Sequence, residues 1–175
     1  LADTYGFEDR KRHMAEPDGF SADMWRRFAE MGLMALPFAE EDGGIGGGAV
    51  ETMIVMESLG KALALEPYFA TVVLGGGFLR LGGSAEQKAD LIPQVAEGAL
   101  KLAFAHTERN ARFDLARVET TATKDGEGWL LSGAKSVVQH GDCADKLFVT
   151  ARTAGDLAGE AGIGVFLVDA DAEGL

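Results

Sequence analysis

Cysteine is almost missing from this sequence: Cys143 stands alone among 175 residues. A disulfide framework is therefore excluded, and so is a thiolate metal cluster, which fits a chain made for a reducing cytoplasm. Cys143 itself reads as a small strand or turn residue. Basic residues are also scarce, with 16 Lys and Arg against 28 Asp and Glu and a formal charge of −12. No basic stripe interrupts that excess, so nucleic acid is excluded as a partner, because it is bound by clustered cations that displace counterions. Long apolar runs are lacking as well. None approaches the roughly 20 residues that a membrane helix requires, and the start carries no basic-then-apolar leader. A soluble, cytoplasmic protein without a bound metal is expected. The chain opens at Leu1 without a methionine and stops at Leu175 just after the apolar run IGVFLVDA, so an excerpt of a longer polypeptide is expected.

What is present divides near Gly98 into a helical part, residues 1–98, and a strand-rich part, residues 99–175. Helices followed by strands point to an α+β arrangement, not to alternating βα units. Ser21 precedes ADMWRRFAEMGLMAL, where Met24, Trp25, Phe28, Met31 and Leu33 make an apolar stripe at helical spacing that Pro37 should end. After the acidic loop PFAEEDGGIGGG, the segment AVETMIVMESLGKAL repeats the pattern with Val50, Met53, Ile54, Met56 and Leu59. A third helix is expected from Tyr68 to Leu81. Ser84 and Gln87 are spaced as a capping box and announce a fourth, ending before Pro93. From Lys101 the apolar period becomes two. Leu102, Phe104 and His106 should face one way and Ala103, Ala105 and Thr107 the other. Val118–Thr123 and Trp129–Leu131 read as a hairpin turning at Asp125 and Gly126, with further strands at Leu147–Ala151 and Ile163–Val168. An antiparallel sheet or an incomplete barrel is expected.

Two glycine clusters invite a dinucleotide reading that their context opposes. Gly44 and Gly46–Gly48 follow Glu40, Glu41 and Asp42, which repel a pyrophosphate, and no buried parallel strand leads into them. Thr71–Gly77, TVVLGGG, lacks the acidic ribose partner after a second strand. Close helix packing or a helix bend accounts for its glycines more simply.

The chemistry-bearing stretch is AFAHTERNARFD, residues 103–114, followed by GAKSVVQHGDCADKLFVTART, residues 133–153. Together they resemble the middle domain of acyl-CoA dehydrogenases, in which an A-x-x-x-T-E-P-x-A-G-S-D turn runs under the flavin beside a G-x-K-x-W-I-[TS]-[NG]-G strand. Thr107, Glu108, Ala111 and Asp114 keep the first frame, and Gly133, Lys135 and Gly141 keep the second. The resemblance implies an all-helical N-terminal domain, an antiparallel, barrel-like β middle domain, and a C-terminal helical domain that lies outside this sequence. It implies FAD as cofactor, an acyl-CoA thioester as substrate and desaturation to the trans-2-enoyl-CoA, with the flavin facing Phe104, His106, Thr107, Arg112, Phe113, Val137 and Gln139. Thr107 would offer its hydroxyl to the flavin edge, where a donor polarises the ring for hydride arrival. Glu108 would be a structural acid, since the family's catalytic base belongs to the C-terminal domain and no residue here corresponds to it.

Several positions depart from the family pattern. Arg109 stands for Pro, Arg112 and Phe113 for Gly and Ser, Val137 for a flavin-flanking Trp, Gln139 for Thr or Ser, and His106 for an aliphatic residue. The arginines either supply a charge-assisted contact to phosphate or block the site. Within the family, ETMIVMESLGKALALEPY, GGSAEQK, AHTER and GAKSVVQHGD are most similar to the small subunit of pimeloyl-CoA dehydrogenases, a two-chain branch acting on dicarboxylyl thioesters. That likeness implies a larger dehydrogenase subunit and an electron-transferring flavoprotein as partners in a homo- or hetero-oligomer. The alternative it leaves is a non-catalytic subunit that scaffolds an active partner.

Overall fold

The computed structural model describes residues 4–175, which separate into a first unit ending at Leu102 and a second spanning Ala103–Leu175. Among the described residues no helix is long and apolar enough to cross a membrane.

The first unit is helical: α1 Phe7–His13, α2 Ala22–Glu30, α3 Ala49–Ala62, α4 Gly76–Gly82 and α5 Ala85–Ala96, with a 3-10 turn at Glu40–Asp42 and a π-helical stretch at Phe69–Gly75. Helix α1 is a surprise, because its seven residues bury nothing. Its signal is electrostatic. Glu8 and Asp9 sit in the first turn and Arg10, Lys11, Arg12 and His13 in the last, complementing the helix dipole, and the Asp9 carboxylate accepts from the Gly6 N–H at 2.9 Å. In α2 the Ser21 hydroxyl accepts from the Met24 N–H, and Met24, Trp25 and Phe28 are buried as their spacing predicts. The helix stops at Glu30, well before Pro37. Gly32 takes φ +72°, so Met31 falls on the surface at 60% exposure. The stripe of α3 fares differently again. Only Leu59 is buried, while Val50, Met53 and Ile54 are all more than half exposed.

The expected helix at Tyr68–Leu81 is present but changes hydrogen-bond register midway, from π to α, at Gly75 and Gly76. A Cβ on Gly75 would lie 2.5 Å from Leu102 Cβ, and one on Gly76 would lie 2.7 Å from the Phe38 ring. Bare backbone there admits the close approach that fills the core around Phe38, Tyr68, Val72 and Leu79. The Ser84–Gln87 capping box opens α5 with both bonds made, at 2.9 and 3.2 Å. The helix then runs through Pro93 to Ala96 instead of ending before it. Leu91, Ile92 and Val95 are buried on either side of the proline, and in the last turn its missing N–H removes only one bond.

The second unit is a five-stranded sheet of β1 Leu102–Ala105, β2 Thr121–Asp125, β3 Gly128–Ser132, β4 Lys146–Arg152 and β5 Ile163–Asp169, in the order β1-β4-β2-β3 with β5 also on β4. The β2–β3 and β4–β5 ladders are antiparallel, and one parallel bridge, Thr121 to Arg152, joins β2 to β4, making the sheet mixed. Its hairpin closes with Asp125 opposite Gly128 across Gly126 and Glu127, and Gly126 takes φ +58°. Ala103, Ala105, Ala144, Leu147 and Val149 form the core, joined by Leu131, Val138 and Val168. Arg152, only 7% exposed, makes no ion pair among the described residues. Its guanidinium instead donates to the carbonyls of Ala116, Val118, Ala154, Leu157, Gly159 and Ala161, which ties the approach to β2 to the loop before β5.

Candidate functional site

Strand β1 delivers the first motif. Period-two geometry puts Phe104 and His106 on the same side, and their rings stack 5.3 Å apart at 13°. Burial, then the Lys135 charge, depresses the His106 pKa against an upward pull from Glu108, so its imidazole is neutral near pH 7. Thr107 follows, half-buried, and its carbonyl accepts from the Ser136 N–H at 2.8 Å. That bond is one of several that lay the second motif against the first. The Thr107 hydroxyl makes no hydrogen bond to any described residue.

The next residue, Glu108, anchors a buried polar network. The Glu108 carboxylate, 3% exposed, accepts from Glu119 N at 2.6 Å, Thr120 N at 3.0 Å, the Thr120 hydroxyl at 2.6 Å and Lys135 Nζ at 2.7 Å. Burial alone would push this carboxyl up. The Lys135 and Thr120 side chains and the two backbone donors overcome that and hold it down at about 2. Lys135, its own pKa lowered by burial against the pull of Glu108, also reaches Thr150 Oγ1 at 3.0 Å and the His106 carbonyl at 3.4 Å. Gly133 makes the convergence possible, because a Cβ there would stand 2.5 Å from the Thr120 hydroxyl. Glu108 and Lys135 were both visible as motif positions. Thr120 and Thr150 were not, since nothing in the spacing of a single sequence links positions 108, 120, 135 and 150.

The remaining expected contacts lie on the surface. Arg112 and Gln139 are exposed, Phe113 is 98% exposed and Val137 85% exposed. Among the described residues no hydrogen bond, ion pair or ring contact joins Arg112 or Phe113 to Val137 or Gln139. What these segments share is backbone conformation. Of the four non-glycine residues at positive φ among those described, Arg112, Val137 and His140 lie in them, at +52°, +54° and +56°. A β-branched valine in that region is a true outlier and marks stored strain of the kind that gathers at binding sites.

The second unit also holds a mainly apolar cleft of about 660 Å³, lined among others by Ala105, Leu131, Lys135, Leu147 and Phe166. None of the seven expected flavin contacts lines it. Of those expected contacts, Arg112, Phe113, Val137 and Gln139 are exposed one by one and Thr107 is half-buried. The residue types suit an isoalloxazine ring and its phosphates: an unengaged hydroxyl at Thr107, apolar side chains at Phe113 and Val137, and exposed cations at Arg109 and Arg112. No group of three metal-ligating side chains gathers among the described residues.

Comparison with known proteins gives the family. The family profile described as "Acyl-CoA dehydrogenase, N-terminal domain" matches residues 6–99, and that described as "Acyl-CoA dehydrogenase, middle domain" matches residues 103–175. A protein of Bacillus subtilis (strain 168) named "Probable acyl-CoA dehydrogenase YngJ" is 32% identical over 165 residues, which cover 93% of this chain and 43% of the relative. The solved ChsE4-ChsE5 complex from Mycobacterium tuberculosis superposes with a TM-score of 0.84 at 28% identity, over 99% of this chain and 44% of the other. The FAD complex of PigA gives 0.81 at 27% identity, over 93% and 43%. The chain thus spans under half the length of each of these proteins.

Proposed function

The chain belongs to the acyl-CoA dehydrogenase family, and from that premise we propose that it supplies the helical and flavin-facing β domains, residues 1–98 and 99–175, of an enzyme that desaturates an acyl-CoA thioester to the trans-2-enoyl-CoA. Members of the family are FAD-dependent oxidoreductases. When bound, the flavin supplies the acceptor for the substrate β-hydride. The part of this chain is to hold and orient the ring. Thr107 donates its hydroxyl to the ring edge, Phe104 and the neutral His106 back that strand, and Val137 and Gln139 flank the ring from the second segment. Arg112 and Phe113 take the place of a bare glycine turn on the phosphate side.

The observation that carries this reading is the Ser136–Thr107 bond, which sets the two motifs edge to edge while leaving the Thr107 hydroxyl free to donate. The substrate is a dicarboxylyl, pimeloyl-like thioester, on the strength of the small-subunit likeness of ETMIVMESLGKALALEPY and GGSAEQK. The setting is a cytoplasmic hetero-oligomer with a larger dehydrogenase subunit, and electrons leave to an electron-transferring flavoprotein. The base lies in sequence outside these residues. One further observation favours a second reading. Phe113 and Val137 are almost fully exposed and unattached, as they would be in a scaffold subunit whose flavin contacts have lapsed.

FAD per chain, measured after gel filtration of the intact gene product with and without its partner, tests the proposal. Stoichiometric flavin that acyl-CoA bleaches supports it; flavin that stays oxidised after acyl-CoA is added to the complex rejects it. Thr107→Ala separates the two readings, because turnover collapses with assembly intact in the first and is unchanged in the second.

A further inference from the structure

Burying an ion pair is a poor way to stabilise a domain, because desolvation of two charges cancels most of their attraction. The Glu108–Lys135 pair is nevertheless almost fully enclosed, and its hydrogen bonds reach three other pieces of chain. Glu108 collects residues 119 and 120, while Lys135 collects the carbonyl of His106 and the hydroxyl of Thr150. Thr107 lies between His106 and Glu108, and Ser136, which bonds its carbonyl, follows Lys135 directly. Both charges therefore belong to residues next in the chain to the two partners of the Ser136–Thr107 bond. They also lie within about 3 Å of one another, so at any distance beyond a few ångströms their fields nearly cancel.

We infer that Glu108 and Lys135 are positioning residues for the flavin: the pair fixes the spacing between Thr107 and the 136–139 segment, and it presents to the ring a rigid support with no net charge. The inference rests on the flavin reading above. It has a signature that a purely structural pair lacks. Reduction places negative charge on the ring, so an uncompensated Lys135 ammonium favours the reduced flavin and an uncompensated Glu108 carboxylate disfavours it. The two single variants must then shift the reduction potential in opposite directions.

The experiment uses the intact gene product with its partner, measuring FAD affinity by fluorescence and flavin potential against an indicator dye in Glu108→Gln and Lys135→Met. Both variants are expected to bind FAD about tenfold or more weakly, the usual scale for losing a supporting contact. The potential rises in Glu108→Gln and falls in Lys135→Met. Wild-type affinity and potential in both variants, or shifts of the same sign, overturn the inference and leave the flavin reading intact. A wild-type protein that takes up no FAD overturns the flavin reading and this one with it. If either single variant fails to fold, the double variant Glu108→Gln/Lys135→Met, which leaves no charge unpaired, replaces it. Its expected behaviour is the wild-type potential with FAD binding still weakened about tenfold; wild-type affinity there overturns the positioning role.

Discussion

Glu108 owes its ionised state to four donors, and that debt is measurable as acid sensitivity. Its folded pKa of about 2 lies below its ordinary value of 4.5. The stabilisation is therefore complete above pH 4.5 and is lost as the pH falls through 2, an effect on the order of 3 kcal/mol. Urea midpoints followed from pH 5 down to about 2 should drop steeply in the wild type and more shallowly in Glu108→Gln; parallel curves would contradict the assignment. Val137 tests the other residue-scale claim. A valine at φ +54° stores roughly 1–3 kcal/mol of backbone strain, whereas glycine there costs about 0.5–1 kcal/mol of chain entropy. Val137→Gly should raise stability by about 1 kcal/mol while weakening FAD binding through the lost side chain. A destabilised, FAD-competent variant would mean that the strain has no connection with the site.

At the scale of elements, helical spacing located α2 and α3, and a capping box located α5, but neither signal said which of them had a partner. The α2 stripe is core, yet Val50, Met53 and Ile54 of the less amphipathic α3 are exposed among the described residues, because spacing records that apolar residues can share a face and not what covers it. Replacing Met53 and Ile54 by Gln should therefore move the denaturation midpoint of the helical unit by no more than about 0.5 kcal/mol each. A loss of 2–5 kcal/mol, the range for emptying a core position, would show that this face is buried. Other misses have local causes. Gly32 ended α2 ahead of the proline chosen as its stop, and burial of Leu91, Ile92 and Val95 carried α5 through Pro93. The hairpin and the β4 and β5 strands were legible because alternation and the Asp125-Gly126 turn agree. The site was legible only in part: its motif positions stand out along the chain, whereas the Glu108 network joins residues up to 42 apart through space.

For the molecule as a whole, ligand linkage decides between an active flavin holder and a scaffold. A ligand that binds only the folded protein stabilises it by about 2.7 kcal/mol at one hundred times its Kd. The seven expected contacts all lie in the second unit, so if this chain holds the cofactor, the thermal midpoint of the intact protein must climb with FAD concentration. The climb should shrink in Thr107→Ala, which removes an open donor at the Ser136 bond. Because that hydroxyl has no partner within the described chain, its removal costs the FAD-free protein little, and the variant should melt near the wild type without FAD. A scaffold gives a different pattern. Its midpoint would follow FAD only through the partner's site, so Thr107→Ala and the wild type would climb together. Melting curves of the two proteins over a FAD titration thus separate the cases, and a common slope would move the cofactor out of this chain.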